Sequence, residues 1–234
     1  MKKAVVPVIM FLLLVSASYG AVIEANMEYV SRYMWRGYDL NLGQPALQPE
    51  LKLNLGDTGL SIGLWSSFNI GSLTKKMFDE IDYSLEYASS LNDELSYTVG
   101  YTAYTYPRFP EQKTGELIFS FTGEKLCCSP TLMLSYDSEL GRGMYASVSV
   151  KNSYELLALK LDAMGSVGYD GGQFGAKQGI SDGALELSST FLIGWVPFLP
   201  VNVTPKVAYT FVNEESRPSD KSTFWFGLNG SASL

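Results

Sequence analysis

Past residue 20 the chain places apolar side chains at every second position, in short runs separated by polar links. Leu47, Leu51, Leu53 and Leu55 are interleaved with Gln48, Glu50, Lys52 and Asn54. Leu60, Ile62, Leu64 and Phe68 alternate with Ser61, Gly63, Ser67 and Asn69. Ile81, Tyr83, Leu85 and Tyr87 alternate with Glu80, Asp82, Ser84 and Glu86, and Leu95, Tyr97, Val99 and Tyr101 with Ser96, Thr98, Gly100 and Thr102. Leu157, Leu159, Leu161 and Ala163 repeat the pattern against Ala158, Lys160, Asp162 and Met164. A helix advances 100° per residue and would scatter these faces, so the runs predict β-strands. Weaker runs over residues 25–36, 115–123, 130–138, 143–152, 184–196, 200–212 and 222–234 bring the total to roughly twelve strands of about 9–13 residues. Strands of soluble sheets usually have about five or six residues; a tilted strand needs about nine to eleven to cross hydrocarbon.

The links follow a second pattern. Short ones at 56–59, 92–93, 152–154 and 197–200 alternate with longer ones at 37–45, 71–77, 107–114, 170–183 and 213–221. The link at 125–129 is long for its class, and that at 138–143 is short. Alternating short turns and long loops is what a membrane barrel with periplasmic turns and outer loops requires. The expected fold is all-β: a transmembrane antiparallel up-and-down β-barrel over residues 21–234, as one domain. Pro49 and Pro205 fall inside strands and remove ladder donors, so bulges or bends are expected there.

Alternation alone also suits a soluble periplasmic β-sandwich, whose apolar faces turn inward. Strand length, charges well inside the strands and aromatic residues near strand ends favour the membrane. Tyr29, Tyr33, Trp35, Tyr87, Tyr169, Trp195 and Tyr209 would form the interfacial girdles. The final run puts Phe224, Phe226, Leu228, Gly230, Ala232 and Leu234 on one face. Outer-membrane barrels commonly close with such a strand and an aromatic terminus; here the last residue is Leu.

The one long apolar block is at the front. Lys2 and Lys3 precede Ala4–Val15 and then Ser16, Ala17 and Ser18. This reads as a cleavable signal peptide over residues 1–20, with the cut between Gly20 and Ala21. Its removal takes the net charge from −7 to about −9, which argues against nucleic acid as a partner. The location implied is the bacterial outer membrane of a Gram-negative cell, with membrane lipid, lipopolysaccharide and small solutes as partners.

Chemistry is constrained by what is missing. The 234 residues include no His, so Ser–His hydrolysis of the barrel-lipase kind has no general base. Asp82 and Glu86 could form an acid/base pair, but positions i and i+4 of one strand simply share its wall. No catalytic residue, cofactor site or metal site is assigned. Cys127 and Cys128 are adjacent and lack the further ligands zinc needs. They read as two small turn residues or a vicinal disulfide. Asp170 and Asp182 in the Gly-rich loop at 169–183 have a faint calcium-loop texture, but the loop reads as a mobile outer one.

With the apolar face outward, the expected lumen-lining charges are Arg32, Glu50, Lys52, Glu80, Asp82, Glu86, Lys160, Asp162, Glu186 and Lys206. They could pair across the lumen and plug it, or line a narrow pore whose acid bias favours cations. Arg36, before Gly37, is expected at the pore mouth, either steering solute or binding lipopolysaccharide phosphate or loop acids. Trp65 and Trp225 fall on the lumen side as candidate stacking residues; a one-residue register slip would put them in lipid.

The segment Tyr29–Gly71 resembles the opening of the TorF family of porin-like proteins. In that family a strand ending in Tyr-aromatic-Arg-Gly leads to a polar loop. A Pro-Ala-(Leu or Ile)-Gln strand follows, then a Gly-aromatic strand with Trp and Ser. The matching positions are Arg36, Gly37, Pro45, Ala46, Gln48, Gly63, Trp65 and Ser66, and Glu80–Pro107 also fits. The resemblance implies an outer-membrane barrel with a pore and supplies no catalytic or ligand site. The alternative function is a non-conducting structural or surface-interaction barrel.

Overall fold

The computed structural model describes residues 20–71, 79–156, 159–193 and 200–234. Apart from Gly20, the expected signal peptide lies outside these residues. So do Trp195, Leu157, Ala158 and most of the links expected at 71–77 and 197–200.

The barrel wall begins with β1 (Val22–Val30). A small hairpin, β2 (Met34–Trp35) and β3 (Tyr38–Asp39), interrupts it. The wall resumes with β4 (Ala46–Asn54), β5 (Leu60–Asn69), β6 (Glu80–Ser90), β7 (Leu95–Thr105) and β8 (Thr114–Gly123). It continues with β9 (Thr131–Asp137), β10 (Gly143–Leu156), β11 (Leu159–Asp170) and β12 (Gly179–Ser188). A short β13 (Phe191–Ile193), β14 (Val201–Val212) and β15 (Thr223–Ser233) complete it. Neighbours in sequence pair antiparallel, and β1 pairs with β15. Because β12 and β13 both pair with β14 in one continuing register, they act as a single interrupted strand, and the circle closes at twelve.

The molecule is inside-out relative to a soluble domain. Among the described residues the buried apolar ones are only Ala21, Val30, Ala46, Tyr145 and Ala208, whereas Glu80, Glu116, Asp137, Asp170, Gln173 and Arg217 are all buried. The large apolar side chains point outward: Leu85 is 54% exposed, Leu185 55% and Phe224 78%. A sandwich would bury these against a second sheet. A closed barrel can leave them to lipid because every wall N–H and C=O finds a neighbouring strand. The outward face of β8 (Leu117, Phe119, Phe121) and its inward face (Glu116, Ile118, Ser120) show the alternation directly.

Both prolines act differently from expectation. Opposite Pro49 the β4–β5 ladder skips two pairs and resumes in the same register, without a bulge. Pro205 faces the break between β12 and β13, where no wall donor is demanded of it. The bulge lies elsewhere, at Ser181, which is left over between the Gly168–Asp182 and Tyr169–Ile180 pairs.

The first strand also ends early. β1 stops at Val30 rather than continuing to residue 36, and the β2–β3 hairpin that follows folds into the lumen. Tyr33 and Trp35 are therefore interior residues, not girdle residues. Tyr29, Tyr87, Tyr169 and Tyr209 do lie on the outward face, the Tyr209 ring meeting Phe211 edge-on and Phe224 at a tilt, with centroids 4.6 and 4.4 Å away. Cys127 and Cys128 sit in the β8–β9 turn as free thiols, Sγ to Sγ 3.3 Å.

Candidate functional site

The β2–β3 hairpin crosses the lumen from the β1–β4 side and docks on the opposite wall. At its tip Arg36 and Gly37 both take left-handed backbone conformations (φ 48° and 82°). A Cβ at Gly37 would come within 2.8 Å of Asp182 Cβ, so only glycine permits the tip to approach this closely.

Arg36 is the anchor. Its Nη1 and Nη2 donate to the two carboxylate oxygens of Glu116 on β8, at 2.7 and 2.8 Å. Nη1 also donates to Gln173 Oε1 at 2.9 Å, and the guanidinium lies over the rings of Trp35 and Tyr145. Burial disfavours the Arg36 cation, but the Glu116 carboxylate outweighs it and its pKa is raised. Gln173 Nε2 and Tyr104 OH donate to Glu116 as well, which satisfies a fully buried carboxylate. This bidentate geometry is what arginine supplies and lysine does not.

Arg217, from the β14–β15 loop, forms the second anchor. Its Nε donates to the carbonyl of Arg36 at 2.8 Å and its Nη2 to Asp170 Oδ2 at 2.9 Å. Asp182 lies 3.8 Å away, and the Tyr38 ring lies beneath the guanidinium at 3.8 Å. Asp170 and Asp182 thus hold an arginine, and no cluster of three metal-ligating side chains occurs among the described residues.

The expected mouth position of Arg36 is therefore corrected. Its side chain is only 8% exposed, because its run of alternation belongs to a hairpin inside the barrel rather than to a strand end at the rim. Arg32 pairs with Asp39 at 2.7 Å within the same inward loop. Glu80 accepts from Tyr33 OH at 2.9 Å, and Asp82, one pleat away, has a buried Oδ1 with no partner among the described residues. Lys52 pairs with Glu86 at 2.7 Å, and Glu50 accepts from Asn26 at 3.0 Å. Lys206 binds Glu28 at 2.5 Å and lies 3.9 Å from Glu186. Asp162 accepts from Ser153 Oγ, and Lys160 opposes Glu155 at the exposed inner rim. Trp65 meets Tyr33 at 5.6 Å, and Trp225 donates to Thr210 with Lys206 over its ring. Sequence reasoning missed Glu116, Gln173 and Arg217, and it marked Asp170 only for a faint calcium-loop texture, where it in fact holds Arg217. The three missed residues looked like ordinary strand or loop positions, and only the folded hairpin joins them.

The hairpin separates two cavities. An outer one of about 350 Å³ is lined by Tyr33, Trp35, Tyr38, Tyr106, Phe109 and Glu80 among others. An inner one of about 420 Å³ lies beneath Trp35 and Arg36 and reaches Met164, Glu186 and Trp225.

Comparison with known proteins agrees with this architecture. The family model described as "Bacterial protein of unknown function (Gcw_chp)" matches residues 15–231. No curated protein matches the chain. Among solved structures, the KdgM porin superposes with a TM-score of 0.56 at 11% identity, over 91% of this chain and 99% of that one. The COG4313 outer membrane channel from Pseudomonas putida F1 gives 0.54 at 13%, over 92% and 95%. The NanC porin gives 0.51 at 12%, over 91% and 100%. At such identities the likeness is one of fold: a closed outer-membrane barrel. The TorF label rests on the sequence resemblance alone, while the porin-like barrel it implied is the fold found.

Proposed function

We propose, from the premise that this chain belongs to the Gcw_chp family of bacterial proteins of unknown function, that it is a narrow passive channel for small solutes in the outer membrane. The observation that carries this is a closed twelve-strand wall with a charged interior, in which cavities lie on both sides of one inward hairpin. A twelve-strand barrel encloses more space than wall side chains alone fill, unlike one of about eight strands. The hairpin is then the constriction, and Arg36 and Arg217 fix its width.

The lumen is acid-biased. Lys52, Lys206, Arg36 and Arg217 are each paired with a carboxylate. Glu50, Glu80, Asp82 and Asp162 have no ion pair among the described residues. Such a wall raises the local concentration of cations. Glu50, Lys52, Glu86, Asp162, Glu186 and Lys206 are proposed as lumen-lining residues on this basis, with Trp65 and Trp225 as stacking surfaces.

The buried docking of Arg36 also supports a second reading, a barrel sealed by its own hairpin that serves a structural or surface role. Single-channel recording in planar bilayers separates the two. Discrete conductance steps with a weak cation-selective reversal potential are expected. No steps, together with liposomes that do not swell in small solutes, would establish the sealed barrel; anion selectivity would reject the acidic-lumen account.

A further inference from the structure

The outer cavity combines three features that together describe a ligand. Its walls are aromatic, with Tyr33, Trp35, Tyr38, Tyr106, Phe109 and Phe174 around about 350 Å³. Its floor carries Glu80, 5% exposed, which accepts from Tyr33 and has no ion pair among the described residues. Arg108, also on the cavity wall, is engaged by Asp79 at 2.7 Å. Finally, Asn41 lines the cavity while 92% buried, and its Nδ2 has no hydrogen-bond partner among the described residues. A buried amide donor is costly to leave unpaired, so an acceptor brought by a ligand would be favoured there.

We infer that this outer chamber binds a small organic cation bearing a hydrogen-bond acceptor, with Glu80 as counter-ion, Asn41 as donor and the surrounding rings as its cage. Aromatic faces attract ammonium groups through their quadrupoles, and most strongly where water is excluded. The same ring cluster already takes cations on its other side: Arg36 lies 4.4 Å from the Trp35 centroid and Arg217 3.8 Å from that of Tyr38. A neutral sugar would use the rings but leave the Glu80 charge uncompensated. An anion would be repelled by Glu80 and would find Arg108 engaged. The inference deepens the channel reading by naming a solute class for that same lumen, yet binding is measured separately from conduction.

The test is isothermal titration of the detergent-solubilised full-length protein with choline, whose hydroxyl supplies the acceptor, and with glucose and acetate as neutral and anionic probes. Saturable choline binding is expected. It should weaken at least about tenfold in Glu80→Gln, since one partner of a desolvated charge pair is lost. Glu80→Asp should recover part of it. Phe109→Ala, at an exposed rim position, should weaken binding severalfold without touching the wall. No saturable choline binding, equal affinity for glucose, or unchanged affinity in folded Glu80→Gln and Phe109→Ala would each overturn the assignment. A protein that conducts but does not bind choline sinks this inference alone; one that binds choline but does not conduct sinks the channel reading and leaves the chamber.

Discussion

At the scale of single residues, Arg36 and Glu116 hold the most consequential contact. Both are buried, at 8% and 0% side-chain exposure, so each charge depends on the other for solvation. Removing one partner of such a pair costs about 3–5 kcal/mol, because the survivor remains buried and uncompensated. Glu116→Ala should therefore lower stability by about that much in urea titrations of the lipid-embedded barrel. It should also release the hairpin tip and raise single-channel conductance. The double variant Arg36→Ala with Glu116→Ala should be less destabilised than the sum of the singles, and the double-mutant cycle isolates the coupling. Sequence could not reveal this pair. Eighty positions separate the two residues, and Arg217 lies 181 positions from the Arg36 carbonyl it binds. Glu116 is one polar position among many on an alternating strand; nothing local marks it as the hairpin's receptor. Arg36 is expected at the pore mouth, and the structure places it in the interior against Glu116.

At the scale of elements, the strands were legible because their period encodes which face meets lipid. Residues 80–90 and 95–105 alternate so regularly that face and register follow from the side chains. The hairpin was not legible for a related reason. Tyr33 and Trp35 continue the odd-numbered face of Tyr29 in β1, and period-2 patterning cannot tell a wall strand from a strand folded inside the wall. The left-handed tip at Arg36–Gly37 is the local mark that the chain reverses there. Gly37→Val should accordingly undock the hairpin, since its side chain meets Asp182 and its φ of 82° is strained for any β-branched residue. The expected result is a conductance rise like that of Glu116→Ala, with the wall's β-sheet circular dichroism unchanged. The two faces of a wall strand should also respond oppositely to charge. Phe119→Lys puts an ammonium into the lipid band and should cost about 2–4 kcal/mol near the midplane, whereas Ser120→Lys points into the lumen and should cost little. Refolding yield into lipid vesicles measures both.

At the scale of the whole molecule, the proposed channel makes a testable claim about charge: the carboxylates on the inward strand faces would act on ions in the lumen. The ion pairs leave Glu50 and Asp162 held by neutral donors, Asn26 and Ser153, so their charge is not cancelled locally. In a conducting barrel their effect on permeating ions would reach across the cavity and be limited chiefly by salt. With a Debye length of about 10 Å at 0.1 M and about 3 Å at 1 M, the field spans a narrow lumen at low salt and collapses toward the wall at high salt. The reversal potential under a fixed KCl ratio should thus favour potassium at low ionic strength and move toward zero as total salt rises. Glu50→Gln combined with Asp162→Asn should move the low-salt value part of the way toward the high-salt one. The substitutions preserve side-chain size and leave the Arg36–Glu116 anchor intact, so single-channel conductance at high salt should stay constant. A reversal potential that ignores both the salt and the substitutions would place selectivity at the hairpin rather than in the wall, and the Glu116→Ala channel would then be the one to lose it.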